Sequence, residues 1–395
     1  MLPLKGVRIL DLSRNIPGHY ATMVLGDFGA EVVKVEEPAV GVARGAGERE
    51  SAYSSMNRNK KSITLNLKKE EARQVFYKLA ERSDVILEGF RPGVVKRLGV
   101  DYETISKLNP RMIYCSLSGY GQDGPYKDLP GHDINYLAAA GALGLIGNAG
   151  GPPVVLPPLI GDFASGSLGM VVGVLLALIA REKTGQGQYI DISMTDGVVA
   201  LLTMVAEQYF SKGLLPQRGE TALGGGYPYK NVYQTKDGKY IAIGCFERSL
   251  WENLCRELGR EDFAPYYFVP EHPYEKPEGG KWEEIFSYLR EVFATKTRDE
   301  WFERLSQKNI GISKVYSLDE VFSDPQVIHR EMVMELNHPT QEQVKQVGFY
   351  LKLKGTPAEF RTFAPLPGQH TEEVLGELGY STEDIGRLLE EGVIA

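Results

Sequence analysis

Between residues 7 and 117, short apolar runs take turns with helical patterns, and that alternation limits the fold more than any other feature of the chain. Val7-Arg8-Ile9-Leu10-Asp11-Leu12 is compact and apolar, Pro17-Gly18 breaks the chain, residues 20–28 carry helical spacing, and Glu31-Val32-Val33-Lys34-Val35-Glu36 returns to strand composition. This is a βαβ unit. The pattern repeats with a charged helix at 69–82, a strand at 84–88, a short helix near 102–108 and a strand at 111–117, and residues 188–193 add a further strand. Such alternation predicts an α/β fold with a doubly wound, Rossmann-like parallel sheet covered by helices. The most apolar stretch, 168–180, falls short of the roughly 20 residues a membrane span needs and reads as a buried core helix.

At 395 residues and 43% hydrophobic, the chain can bury a large core and form two domains. The composition changes beyond residue 215. After Gly224-Gly225-Gly226, residues 229–235 and 240–244 flank Lys236-Asp237-Gly238-Lys239 and read as a hairpin, with helical patterns following at 250–258, 282–293 and 298–305. Apolar strand character returns at 347–353, and two short helices close the chain, the second capped at Ser381-Thr382-Glu383-Asp384. A net charge of −8 argues against nucleic acid as a partner, without excluding an anion held by a local basic patch. Three widely spaced cysteines and the lack of a charged start followed by an apolar run suit a cytoplasmic protein with reduced thiols.

Doubly wound sheets bind ligands outside the carboxyl ends of their strands, so the loops after Leu12, Glu36, Glu88 and Leu117 are candidate sites. Asn15-Ile16-Pro17-Gly18-His19 presents a helix amino terminus. Asn57-Arg58-Asn59-Lys60-Lys61 and Gly89-Phe90-Arg91-Pro92-Gly93 add cations on an acidic chain. Each is open to the plainer reading of a solvated loop charge. No G-x-G-x-x-G follows the first strand and no P-loop motif occurs. The six histidines show no helical zinc spacing, so no metal is expected, and no G-x-S-x-G elbow stands out. His132, in Gly131-His132-Asp133-Ile134-Asn135-Tyr136, is either a hydrogen-bonded structural histidine or an acid/base. Asp162, in Leu159-Ile160-Gly161-Asp162-Phe163, either caps the apolar helix or reacts. Glu247 alone reads as a surface glutamate. Tyr136, Tyr227, Tyr229 and Trp251 either line an acyl pocket or pack the core.

The sequence resembles the family III CoA-transferase superfamily of the CaiB/BaiF type, which also contains the α-methylacyl-CoA racemases. Four stretches carry most of the likeness: residues 4–12, residues 25–36, Asn57-Arg58-Asn59-Lys60-Lys61-Ser62 and Glu88-Gly89-Phe90-Arg91-Pro92-Gly93. Gly185-Gln186-Gly187-Gln188 adds a fifth. The resemblance implies a homodimer with interlocked chains, a large CoA-binding domain from residues 1–215 and 330–395, and a small domain from 216–329. It implies an acyl-CoA substrate with coenzyme A as its carrier portion, no prosthetic group, and CoA contacts at Ile16, Arg58 and Arg91. Glu37 stands where racemases carry an arginine, which shifts the diphosphate towards Arg58, Lys60, Lys61 or Arg91.

Asp162 matches the carboxylate that transferases use as a nucleophile and racemases as an acid/base. The Gly-His-Asp-Ile-Asn-Tyr string is similar to that of the racemases, where the histidine is the second base, and Glu247 falls where they orient it. The expected activity is therefore 2-methylacyl-CoA racemization through a thioester enolate, with backbone amides near Asp162 as candidate donors to the enolate oxygen. CoA transfer through an aspartyl thioester on Asp162 is the alternative, favoured by the likeness of Gly224-Gly225-Gly226 to the transferases' glycine loop. A non-catalytic CoA-binding protein is the third reading.

Overall fold

The computed structural model describes residues 1–38, 54–221, 224–267, 278–339 and 342–395. Its Cα packing divides the chain into two units. One comprises residues 1–140, 156–201 and 331–395, the other residues 141–155 and 202–330. The second unit therefore starts at residue 202 rather than 216 and takes in a short segment from before the apolar helix.

In the first unit, six parallel strands form one sheet: β1 (Arg8–Asp11), β2 (Glu31–Glu36), β3 (Lys60–Thr64), β4 (Val85–Glu88), β5 (Ile113–Ser118) and β6 (Tyr189–Ser193). Their order is β3-β2-β1-β4-β5-β6, so the winding reverses between β1 and β4. Period-2 geometry sends alternate side chains to opposite faces. Ile9, Val85, Leu87, Ile113 and Cys115 enter one core with helices α1 (Ile16–Asp27) and, later in the chain, Leu168–Thr184. Leu10, Ile86 and Tyr114 enter the other, beside α2 (Glu70–Glu81) and the two C-terminal helices. Both faces are covered, which is why these strands read as continuous apolar runs instead of alternating ones. Between β4 and β5 lie the short helices α3 (Val94–Arg97) and α4 (Tyr102–Leu108).

Two expectations change here. The stretch 57–61 is not a solvated basic loop: Lys60 begins the edge strand β3, and Arg58 and Lys60 turn inward to buried carboxylates. The apolar helix is not enclosed all round. Met170, Val171, Val174 and Ala177 are buried, whereas Val172, Leu175, Leu176 and Ile179 are exposed. The continuous segment Leu159–Thr184 is long and apolar enough to cross a membrane, but its buried lane packs on the sheet and its Arg181 pairs with Asp84 at 2.8 Å.

The tail is fixed to the sheet's edge by Asn59, held at φ 60°, a left-handed conformation asparagine tolerates. Its side chain donates to Asp27 and to the Glu359 carbonyl and accepts from the Arg361 and Thr362 amides. The strand expected at 347–353 lies earlier, as Gln343–Val347 paired with Val333–Asn337.

The second unit is a three-stranded antiparallel sheet, β7 (Lys230–Gln234), β8 (Tyr240–Gly244) and β9 (Ile312–Lys314), with helices Arg248–Glu257, Lys281–Phe293 and Arg298–Leu305. The hairpin and all three helices match the sequence expectation; β9 was not legible. Tyr227, Tyr229 and Trp251 are buried with Trp282 and Trp301, so these aromatics are core.

Candidate active site

Helix α5 (Asp133–Ala139) starts immediately after His132, the residue at its N-cap. The His132 amide donates to the Asn135 side-chain oxygen at 3.1 Å, which fixes the backbone and leaves the imidazole exposed. One turn on, the buried Tyr136 hydroxyl donates to the Gly131 carbonyl at 2.5 Å. Its ring lies so close to Gly119 and Gly131 that a Cβ at either would stand 2.2 or 2.7 Å from a ring carbon. Both glycines are thus dictated by Tyr136, and the loop carrying His132 is pinned from two sides.

Asp162 does not cap a helix. It sits inside Leu159–Ser167, a π-type coil that runs directly into α6 (Leu168–Thr184), and such widened turns recur at functional sites. Its amide donates to the Asp133 carboxylate at 2.9 Å, so among the backbone amides near Asp162 this one is already engaged. Its carbonyl accepts from the Ser167 hydroxyl at 2.9 Å. Burial pushes the Asp162 carboxyl up to about 6, with the Asp133 charge adding to the rise and His132 working against it. A carboxyl at that value exists in both protonation states near neutral pH, which suits an acid/base. His132 therefore lies within electrostatic reach of Asp162. Glu247, exposed at the N-cap of Arg248–Glu257, belongs to the second unit.

A crevice of about 510 Å³ opens at the carboxyl ends of the strands, where the sheet winding reverses. Arg14, Lys68, Arg91 and Arg97 line it. Glu37 draws Arg14 to 3.0 Å and Lys68 to 2.6 Å, while Arg14 also lies over the Phe90 ring. Of the positions expected to contact CoA, Arg91 lines this crevice and Ile16 is the half-buried first residue of α1. The others face elsewhere. Arg58 grips Asp27 through two nitrogens at 3.0 and 2.7 Å and donates to the Val347 carbonyl. Lys60 is fully enclosed, giving its protons to Asp11, Thr22, Asn57 and the His19 carbonyl. Lys61 is held by Glu31, Glu373 and Glu377. Sequence reasoning counted these cations correctly and missed their partners, because Asp11 and Asp27 lie far away in the chain.

Glu88, at the end of β4, lies beside Ser116 and, one strand further, Asp191. Its carboxylate accepts the Phe90 amide at 2.7 Å and so shapes the loop that carries Arg91. Burial pushes its carboxyl up to about 7, against hydrogen bonds from Ser116 and Phe90. The raised folded value makes the native state the stronger proton binder, so stability is lost as pH rises from the unfolded value of 4.5 through about 7. Glu88→Gln keeps an acceptor for Phe90 and does not ionise. It should be more stable than the wild type at pH 8 by on the order of 2–3 kcal/mol, with the gap closing by pH 5. Denaturation midpoints across that range check this; parallel profiles for the two proteins would refute it.

Among the described residues no three His, Cys, Asp or Glu side chains converge as a metal cluster. A doubly wound sheet with a cationic crevice at its switch point, and a histidine held beside a half-buried carboxylate, describes an α/β enzyme. The chain matches CoA-transferase family III over residues 4–371 and belongs to that family. It is 36% identical over 399 residues to the α-methylacyl-CoA racemase of Homo sapiens, across 100% of this chain and 98% of that one. It is 37% identical over 408 residues to the succinyl-CoA:glutarate CoA-transferase of Mus musculus, across 100% and 91%. A CaiB/BaiF family protein of Brucella suis superimposes with a TM-score of 0.79 at 26% identity, covering 95% of this chain and 99% of that one. Racemase and transferase relatives are equally near, so similarity establishes an acyl-CoA enzyme family without choosing the reaction.

Proposed function

We propose that the protein is a 2-methylacyl-CoA racemase that inverts its substrate by two-base 1,1-proton transfer through a thioester enolate. The observation that carries this reading is an Asp162 carboxyl pushed up to about 6 within electrostatic reach of His132. An α-proton beside a thioester is weakly acidic, and a base poised near neutrality removes it without being trapped in the wrong protonation state. His132 and Asp162 would flank the α-carbon, one taking the proton and the other delivering one to the opposite face. Glu247 enters on the family resemblance alone, as the carboxylate that fixes the imidazole tautomer. Coenzyme A is the carrier portion of the substrate, its phosphates placed in the crevice of Arg14, Lys68, Arg91 and Arg97. The working form is taken to be a homodimer with interlocked chains, in keeping with the exposed Val172, Leu175, Leu176 and Ile179 lane of α6.

In heavy water, without any acceptor acid, the protein is expected to exchange the α-proton of a 2-methylacyl-CoA for deuterium. Failure across a panel of branched thioesters would sink the reading. A second reading, CoA transfer, rests on the likeness of Gly224-Gly225-Gly226 to the transferases' glycine loop; the fold itself demands glycine at two of these positions, since a Cβ at Gly226 would stand 2.3 Å from the Glu220 carbonyl oxygen and Gly225 holds φ +91°. Asp162 would then attack the thioester carbonyl and expel CoA thiolate, giving a mixed anhydride, and the thiolate would attack its aspartyl carbonyl, releasing the free acid and leaving an aspartyl-CoA thioester. Hydroxylamine with acyl-CoA would leave a hydroxamate on Asp162, detectable by mass spectrometry, which proton transfer does not produce.

A further inference from the structure

We propose that Asp133 is a positioning residue of this site, whose buried carboxylate fixes the Asp162 main chain to α5 and sets the charge that the Asp162 side chain faces. The inference rests on the proton-transfer reading and extends it to a residue that touches neither acyl group nor CoA.

The geometry is a latch. Asp133 is 7% exposed, stands first in α5, and its Oδ1 accepts the Asp162 amide at 2.9 Å across 29 positions of chain. Gly161 makes the approach feasible, because a Cβ there would lie 2.8 Å from the same oxygen. The same turn of helix also holds the His132 backbone through Asn135 and the Gly131 carbonyl through Tyr136. One turn therefore indexes both bases, and a rotation of α5 would displace them together.

The charge is the second part. Facing Asp162 from α5 are Asp133 and His132, with the Tyr136 hydroxyl behind them. From α1 the neighbour is neutral: the Tyr20 ring packs edge-on against Phe163 at 4.9 Å. The helix Met194–Leu201, which also packs on this segment, carries Asp196, and that carboxylate is not among the charges that move Asp162. Burial is the larger cause of the raised Asp162 carboxyl and Asp133 the next, with His132 opposed. A like charge this close disfavours the ionised form of its neighbour. Asp133 thus does two separable things, accepting an N–H and repelling an anion.

Two variants separate them. Asp133→Asn keeps an acceptor oxygen and nearly the same shape but removes the charge, and Asp133→Ala removes both. The probe is the titration of Asp162 in protein carrying ¹³C-carboxyl aspartate, with Asp162→Asn identifying the resonance. In Asp133→Asn the Asp162 midpoint should fall by about 1 pH unit, and the acidic limb of kcat/KM should move with it. In Asp133→Ala kcat should fall by about 10²-fold more, because misplacing a reacting group by an ångström costs that much. An unmoved midpoint in a folded Asp133→Asn protein overturns the proposal. If Asp133→Ala does not fold, the asparagine variant decides alone. The titration needs no turnover, so a wild type that exchanges no α-proton defeats the racemase reading while the Asp133 midpoint is still measured.

Discussion

Asp162→Asn should abolish inversion of a 2-methylacyl-CoA, with a loss of about 10²–10⁴-fold, the usual contribution of a positioned acid/base. It should not abolish α-proton exchange for both enantiomers. With Asp162 silenced, His132 still reaches the enantiomer whose α-proton points towards it, removes that proton, and returns a solvent deuteron to the same face. The other enantiomer presents its proton to an amide and stays protonated. Exchange without inversion for one hand and no exchange for the other is the expected pattern, and His132→Gln should give its mirror image. Proton NMR of separately prepared R and S thioesters in heavy water reads all four combinations. A nucleophilic Asp162 predicts something different: Asp162→Asn would lose CoA transfer outright, and no variant would show a dependence on substrate handedness.

The acid/base reading also fixes a sign in the pH profile. As a base Asp162 must be ionised, so kcat/KM for the enantiomer it deprotonates should fall as pH drops through about 6, the value to which burial and Asp133 push its carboxyl. For the opposite hand Asp162 acts as the acid and is wanted protonated, so the two directions should show different pH limbs in the free enzyme.

The sheet was legible in the sequence because its code is local. A strand buried on both faces has to be apolar throughout, and a helix between two of them has to show its 3.6 period, so β1, β2, β4 and β5 can be read window by window, whereas the edge strand β3 opens on Lys60-Lys61 and reads as a basic loop. His132 and Asp162 were legible for another reason, a motif likeness that composition alone would not have supplied. The partners were not legible. Asp133 stood inside the quoted string, yet only folding shows that its carboxylate meets the Asp162 amide. Arg58 and Lys60 looked like ligand-binding loop charges because nothing local says that Asp27 and Asp11, on earlier elements, will enclose them. The reverse holds for Arg14 and Arg97, which line the crevice although no motif drew attention to them. Long-range electrostatic pairing leaves no periodic trace in a sequence.

Lys60→Met is expected to be the most destabilising of the substitutions considered, by about 3–5 kcal/mol, the cost of leaving a buried charge without its partner. Asp11 is wholly buried at the end of β1 and accepts from Lys60 at 3.3 Å, Thr22 at 2.6 Å and Ser13. Burial alone would push its carboxyl up; Lys60 and Lys34, with His19 and Ser13, overcome that and hold it well below the usual carboxylate range. Removing the ammonium takes away the first of the charges that oppose burial, so in the variant the Asp11 carboxyl should move up from its wild-type position. The sign follows: the variant's Asp11 gives up its proton at a higher pH than the wild type's, so the stability gap between the two proteins widens as pH rises. Lys60→Met should therefore be closest to the wild type near pH 4–5 and furthest from it near pH 8. Asp11→Asn combined with Lys60→Met removes the orphaned charge and should recover a substantial part of the loss, whereas additive losses in the double variant would exclude the pairing argument. Lys60 also holds the His19 carbonyl and Asn57. The double variant should accordingly fold yet bind acyl-CoA more weakly, because the loop after β1, from which Arg14 reaches the crevice, loses its anchor.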